Sequence, residues 1–478
     1  MPGLSFGVLH HREGIHQANF GFRDIDAQLC PDENTTYVIG SLTKALTAAM
    51  VAILVDEGKL DWTTQLQDIT PQFQRPEKDP TNNITIADLL SHRTGLPSYD
   101  ALWLLSDNRV SLDRADAVPI LGYVPCQAIE KVPGAHYFLF LRNHILDPLG
   151  MTRTFYTNFS IHAENTAKPY ATLENATAFQ LPPPLHGDNF MVGSAGGVRS
   201  SVHDLLILYN AFIDAAKIQI EHHKSKIPRN PLKKLAHLWR GMITLPLSTI
   251  LENSYASGWV RVQLPAPIGF GAAPGNIPGF TSFAAVFPET SSAVVILSNS
   301  VALTGGVRLV GQLLIEELFG NTINVTDYTQ YARLAAKRST STMETVKKKL
   351  IQGKTVDRPA RSLQKYLGKY YNSIGNFFID VRERAGNLQV CFMGLDSDGF
   401  DLEPYQHNSL FWHMSHNECI KYGRCIDYPK EYYVINFGNA DGNGHDSNET
   451  DINCLWWKHE FTVPGNGEVF RKSHQLSQ

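Results

Sequence analysis

Between Tyr37 and Trp62 the chain reads YVIGSLTKALTAAMVAILVDEGKLDW, and Leu42, Leu46, Ala49, Met50, Ile53 and Leu54 recur at spacings of three and four. That period predicts one apolar face of an α-helix. The helix should start at Gly40-Ser41 and stop at Gly58, where a glycine takes the left-handed cap conformation. A second helical stretch, ITIADLLSHRTGLPSYD (Ile84–Asp100), is broken by Gly95 and Pro97. HILDPLGMTRTFY from His144 reads as a helix end followed by an extended segment, and GSAGGVRSSVHDLLILYNAFI from Gly193 as a glycine-rich turn entering an amphipathic helix. SFAAVFPETSSAVVILSNS from Ser282 predicts strand, turn and strand, and helical patterns then occupy about 305–319 and 326–352.

The period changes further on. KKKLIQGKTVDRPARS (Lys347–Ser362) is charged and carries Gly353 and Pro359, which predicts a linker. NFFIDVRERAGNLQVCFMG (Asn376–Gly394) alternates like a hairpin, and short aromatic runs separated by Gly, Asn and Asp continue to the end. The expected division is a mixed helix-and-sheet domain over 1–345, a linker over 346–361, and an all-β domain of sandwich or barrel type over 362–478.

Composition narrows the function classes. The 42 basic and 46 acidic residues leave a net charge of −4, so no basic excess marks nucleic acid or an anionic membrane as a partner. No apolar run is long enough to span a bilayer, and MPGLSFGVLHHREG lacks the basic and apolar regions of a signal peptide, so a cytoplasmic location is expected. Six cysteines in 478 residues are too sparse for a disulfide scaffold. His413, His416, Cys419 and Cys425 lie close together but match no zinc-finger spacing, and no phosphate-binding or dinucleotide fingerprint occurs. Neither a metal nor a cofactor is expected.

One residue disturbs the helix pattern. An N-cap serine at position 41 would favour Glu or Gln three residues on, yet Lys44 stands there, where a cation meets the positive end of the helix dipole. Chemistry explains it. Residues three apart on a helix are roughly 5–6 Å apart at Cβ, so the amine can reach the hydroxyl. Dipole and apolar surroundings would favour the neutral amine, able to take the serine proton, and free N–H groups at the helix end can hold an oxyanion. The spacing alone is weak evidence, since Ser362 and Lys365 repeat it in a charged stretch.

The ordered set MPGLSFGVL, GFRDID, TTYVIGSLTKALTAAMVAILVDEGKLDW, LLSHRTGLPSY, EKVPG, ILDPLGMTRTFY, GSAGGVRSSVHDL, SYASGWV and IPGFTSFAAVFPETSSAVVILSNS resembles the penicillin-recognising serine hydrolases over about residues 1–320. Within them it is similar to the class C β-lactamase, D-aminopeptidase and esterase branch, and the trailing segment resembles the barrel-like domain of D-aminopeptidase-type members. The resemblance implies a β-lactamase/transpeptidase-like α/β (α+β) fold, an antiparallel sheet flanked by helices. It also implies that Ser41 is acylated and that Lys44 helps remove its proton.

Two further family motifs align poorly. The Tyr-x-Asn motif falls on Val118, Pro119 and Ile120, and the Lys-Thr-Gly or His-x-Gly motif falls on Ala273, Pro274 and Gly275, where only the glycine matches. Tyr123 is the phenol nearest the first of these, and Gly275 and Tyr123 are carried as candidate substrate-binding residues. The expected activity is hydrolysis or acyl transfer on an ester, amide or thioester of a small molecule or peptide. The alternative expectation is a catalytically degenerate relative that binds a ligand or partner.

Overall fold

The strands predicted after Ser282 pair with strands from the N-terminal residues in one sheet. The structure is a computed structural model that describes residues 1–478 except 71–82, 104, 107–128, 133, 135, 157–163, 185–192, 222–229, 246–252, 264–268, 321–325, 425, 440–450, 463–464 and 474–478. For 103, 221 and 269–274 it describes the backbone only. The chain forms two compact units, one of residues 1–96, 113–172 and 183–335, the other of 97–112, 173–182 and 336–478.

In the first unit the strands are β1 (Leu4–His10), β2 (Glu13–Phe20), β3 (Ile243–Thr244), β4 (Asn253–Tyr255), β5 (Val260–Val262), β6 (Gly269–Ile277), β7 (Phe280–Phe287) and β8 (Ser292–Ser298). They are ordered β2-β1-β8-β7-β6-β5-β4-β3, every neighbour antiparallel. Its helices include α1 (Thr43–Asp56), α2 (Ile86–Leu90), α3 (Tyr137–Leu141), α4 (Gly193–Gly196), α5 (Val202–Ala216) and α6 (Gly306–Phe319). Alternation along β1 assigns the helices to faces. Phe6 and Val8 pack with Val294, Ile296 and Val307 of α6. Gly7 points the other way, where a methyl group would meet Val202 and Leu206 of α5.

The helix α1 departs from the one-sided expectation. Every residue from Ala45 to Leu54 is buried, as befits a helix apolar on all sides. Its four alanines allow close approach, and the chain leaves it as predicted. Gly58 is left-handed (φ 69°), its N–H donates to Val55 (3.1 Å) and the Lys59 N–H donates to Leu54 (2.9 Å). Both bonds belong to the paired Schellman cap.

The second unit has β9 (Gly368–Tyr371), β10 (Phe378–Arg384), β11 (Asn387–Phe392), β12 (Gly399–Asp401), β13 (Glu403–Gln406), β14 (Ser409–Phe411), β15 (Val434–Gly438), β16 (Cys454–Trp457) and β17 (Glu468–Lys472). They form an antiparallel, nearly closed barrel-shaped sheet ordered β12-β11-β10-β9-β17-β16-β15-β14-β13. Trp412, Trp457, Phe392, Tyr432 and Tyr433 lie in its aromatic core.

Two features of this unit differ from the sequence expectation. Residues 346–353, expected to begin a linker, are the end of helix α7 (Tyr328–Gly353), because Met343, Val346 and Leu350 form a stripe buried in the barrel core while Lys347, Lys348 and Lys349 face outward. The boundary between units lies within that helix, at 335/336. Residues 97–106, far upstream, also belong to this unit: Ala101, Leu102 and Leu105 join its core. Asp398, fully buried, accepts the Ser106 N–H (3.1 Å) and hydroxyl (2.7 Å) and pairs with Arg424, whose guanidinium lies over Phe392 and Phe400.

Among the described residues no helix is long and apolar enough to cross a membrane, and no group of three or more His, Cys, Asp or Glu side chains could hold a metal ion. Cys425 lies outside the described residues.

Candidate active site

Ser41 does not cap α1. A 3-10 turn over Gly40–Leu42 precedes the helix, no side-chain cap bond forms, and the first turn holds no acidic residue. The Ser41 hydroxyl is therefore available to Lys44, whose Nζ donates to Ser41 Oγ at 2.7 Å and to the Ala195 carbonyl at 3.2 Å. Both residues are partly buried, Lys44 less deeply than a wholly apolar setting would make it.

A second contact comes from the sheet. Gly40 is left-handed (φ 53°), and a methyl group there would lie 3.0 Å from the Gly275 backbone. A methyl group on Gly275 would lie 2.2 Å from the Ile39 carbonyl oxygen, 2.4 Å from Ser282 Oγ and 3.0 Å from the Ser41 nitrogen. The Ser282 hydroxyl donates to the Ile39 carbonyl at 2.7 Å, closing this junction. Only glycine lets strand β6 come this close to the Ser41 backbone, which gives Gly275 a physical role beside Ser41. Asn276, next on β6, is exposed.

The carbonyl that receives Lys44 is itself supported. One turn along α1, the Thr47 hydroxyl donates to the Ser194 carbonyl at 2.6 Å and accepts from the Tyr137 hydroxyl, 2.7 Å away. Successive turns of α1 thus hold successive carbonyls of α4. Tyr137 is fully buried and packs on Tyr156 at 4.8 Å between ring centres. Sequence reasoning missed Thr47 and Tyr137; a hydroxyl in an otherwise alkyl helix core was the available signal.

Tyr123 and the aligned positions Val118, Pro119 and Ile120 lie outside the described residues. The second Ser-x-x-Lys spacing proves different in kind: Lys365 pairs with the exposed Asp451.

The beta-lactamase family pattern matches residues 1–314. The fold and this match define the class, and the chain belongs to the beta-lactamase family, with a serine hydrolase-type fold. It is 26% identical over 376 residues to the unguisins hydrolase ungD of Aspergillus violaceofuscus, covering 70% of this chain and 65% of that protein. It is 24% identical over 320 residues to Protein flp of Staphylococcus aureus, covering 63% and 60%. The match thus spans less than two thirds of either relative. Among solved structures, the octameric penicillin-binding protein homologue from Pyrococcus abyssi superposes over 98% of this chain and 96% of its own (TM-score 0.56, 19% identity). A D-stereospecific amidohydrolase from Streptomyces superposes over 63% and 89% (TM-score 0.50, 20% identity). Both likenesses are of fold.

Proposed function

We propose that the protein cleaves an ester, amide or thioester of a small molecule or peptide through an acyl-enzyme on Ser41. The observation that carries this reading is the 2.7 Å contact between Lys44 Nζ and Ser41 Oγ at the start of α1. An amine at that distance can take the hydroxyl proton as Oγ bonds to the acyl carbon. The backbone N–H of Ser41, beside Gly275 on β6, supports the reading as a donor to negative charge on the carbonyl oxygen. Collapse of the adduct breaks the bond to the leaving group, which takes the proton from Lys44. Water or another nucleophile then accepts the acyl group. The hydrolase name of the Aspergillus relative agrees with this class.

Turnover of a nitrophenyl butyrate tests the reading. Ser41→Ala should reduce the rate to background, and Lys44→Ala should cost about as much, because paired catalytic groups act as a unit. Equal rates for wild type and Ser41→Ala would remove the acyl-enzyme from the account.

A further inference from the structure

Helix α4 is too weak to place its own carbonyls. It is a single turn, Gly193-Ser194-Ala195-Gly196, closed by the Gly197 N–H on the Gly193 carbonyl (2.8 Å). Two of its four residues are glycines, and one turn lacks the length over which helix formation becomes favourable. Contacts from outside therefore decide where the Ala195 carbonyl, an acceptor of Lys44 Nζ, comes to rest. One face of α1 supplies them. Thr43 Oγ accepts the Val198 N–H (3.3 Å), Lys44 Nζ donates to Ala195, and Thr47 Oγ donates to Ser194 (2.6 Å). Tyr156 backs the turn at Gly193, where a methyl group would collide with the phenol oxygen.

The Thr47 bond has a competitor. A threonine inside a helix can turn its hydroxyl back to the carbonyl four residues earlier, and the Thr43 carbonyl lies 3.3 Å from Thr47 Oγ. The hydroxyl carries one proton. Given to Thr43, that proton leaves the Ser194 carbonyl without its donor from α1. Since either choice sends the proton to a carbonyl, the Tyr137 hydroxyl, 2.7 Å from Thr47 Oγ, is the donor in their contact. An oxygen that accepts a hydrogen bond becomes a better donor, so the phenol strengthens the shorter bond, to Ser194. Tyr137 is held where it can do this. It is fully buried at the start of α3, its ring packs on Tyr156, and its N–H donates to Glu130 Oε1 at 3.4 Å.

Resting on the acyl-enzyme reading above, we propose that Tyr137 is a positioning residue for Lys44. Its hydroxyl directs the Thr47 proton to the Ser194 carbonyl, and this fixes the next carbonyl of α4, that of Ala195, against the Lys44 amine. Lysine ends a flexible four-carbon side chain. A fixed acceptor at 3.2 Å narrows its arc to the arrangement in which Nζ also reaches Ser41 Oγ at 2.7 Å. Tyr137 touches neither substrate nor nucleophile, and acts on acylation through Thr47, α4 and the amine in turn.

The test is the rate at which a fluorophosphonate probe labels Ser41, read by intact mass alongside Tm. Tyr137→Phe keeps the ring on Tyr156 and removes the hydroxyl. Its labelling rate should fall about fivefold to tenfold, the scale of one hydrogen bond. In the Lys44→Ala background, where labelling is already slow, Tyr137→Phe should cost nothing further, because its effect passes through the amine. Thr47→Val removes the same bond from its other end and should slow labelling alike, again only where Lys44 is present. The double variant should label no more slowly than either single one. A purely structural tyrosine would slow labelling only as far as it lowers the folded fraction, and equally with and without Lys44. That result overturns the proposal, as does wild-type labelling by folded Tyr137→Phe. Lys44→Ala labelling as fast as wild type would instead overturn the parent reading.

Discussion

Gly275 carries a constraint that its size alone explains. Adding one methyl group at that position puts a carbon 2.2 Å from the Ile39 carbonyl oxygen, so either β6 or the turn leading to Ser41 must move. Gly275→Ala should therefore destabilise the protein by about 1–3 kcal/mol, the usual scale of overpacking. It should also lower kcat/KM on an activated ester more than that loss of folded protein explains, measured with urea unfolding alongside kinetics. Part of this site was legible in the residues. Ser41 and Lys44 stood out because a lysine three residues after a helix-start serine contradicts capping and dipole preferences. Thr47 and Tyr137 did not stand out, because a hydroxyl inside an apolar run and a distant tyrosine share no spacing with Ser41.

Among the elements, α1 shows where pattern reading stops. Its start and stop were readable from Gly40-Ser41 and Gly58, but spacing was taken as a single apolar face, and the helix is enclosed on every side. Alanine at positions 45, 48, 49 and 52 counts as weakly apolar in a periodic pattern, yet in a packed core its small size is what admits neighbours. Thr47 is the polar exception, holding α4 through the Ser194 carbonyl. Thr47→Val keeps the shape and removes the hydroxyl, so stability should fall by about 1–3 kcal/mol, the cost of losing a buried partner. Because the neighbouring Ala195 carbonyl receives Lys44, kcat should fall as well, and a thermal melt with a parallel ester assay separates the two effects. An unchanged kcat at reduced Tm would leave Thr47 a purely structural residue.

For the molecule as a whole, period and turn chemistry divided the chain into a mixed helix-and-sheet part and an all-β part, and the family resemblance implied the antiparallel sheet and the barrel, while the membership of each followed from neither. Nothing in SYDALWLLS marks residues 97–106 as barrel core, because an apolar run does not say which core it joins. The run KKKLIQGK looked like a linker for the opposite reason: three lysines on the outer face hid a stripe as sparse as Met343, Val346 and Leu350. The fastening at Ser106 depends on a fully buried carboxylate. Asp398→Ala would leave the Arg424 charge without its counter-ion, a loss of roughly 3–5 kcal/mol. Urea unfolding should show that loss, with the Ser41 acylation rate of the remaining folded protein little changed.

The intact mass of the whole chain tests the central claim, that Ser41 is an activated nucleophile. Treated with a fluorophosphonate probe, the wild-type protein should gain the mass of one adduct, lodged on the peptide containing Ser41, and Lys44→Ala should label far more slowly. Ser41→Ala should gain none. A folded wild-type protein that stays unlabelled, or labels as fast without Ser41, would contradict the account.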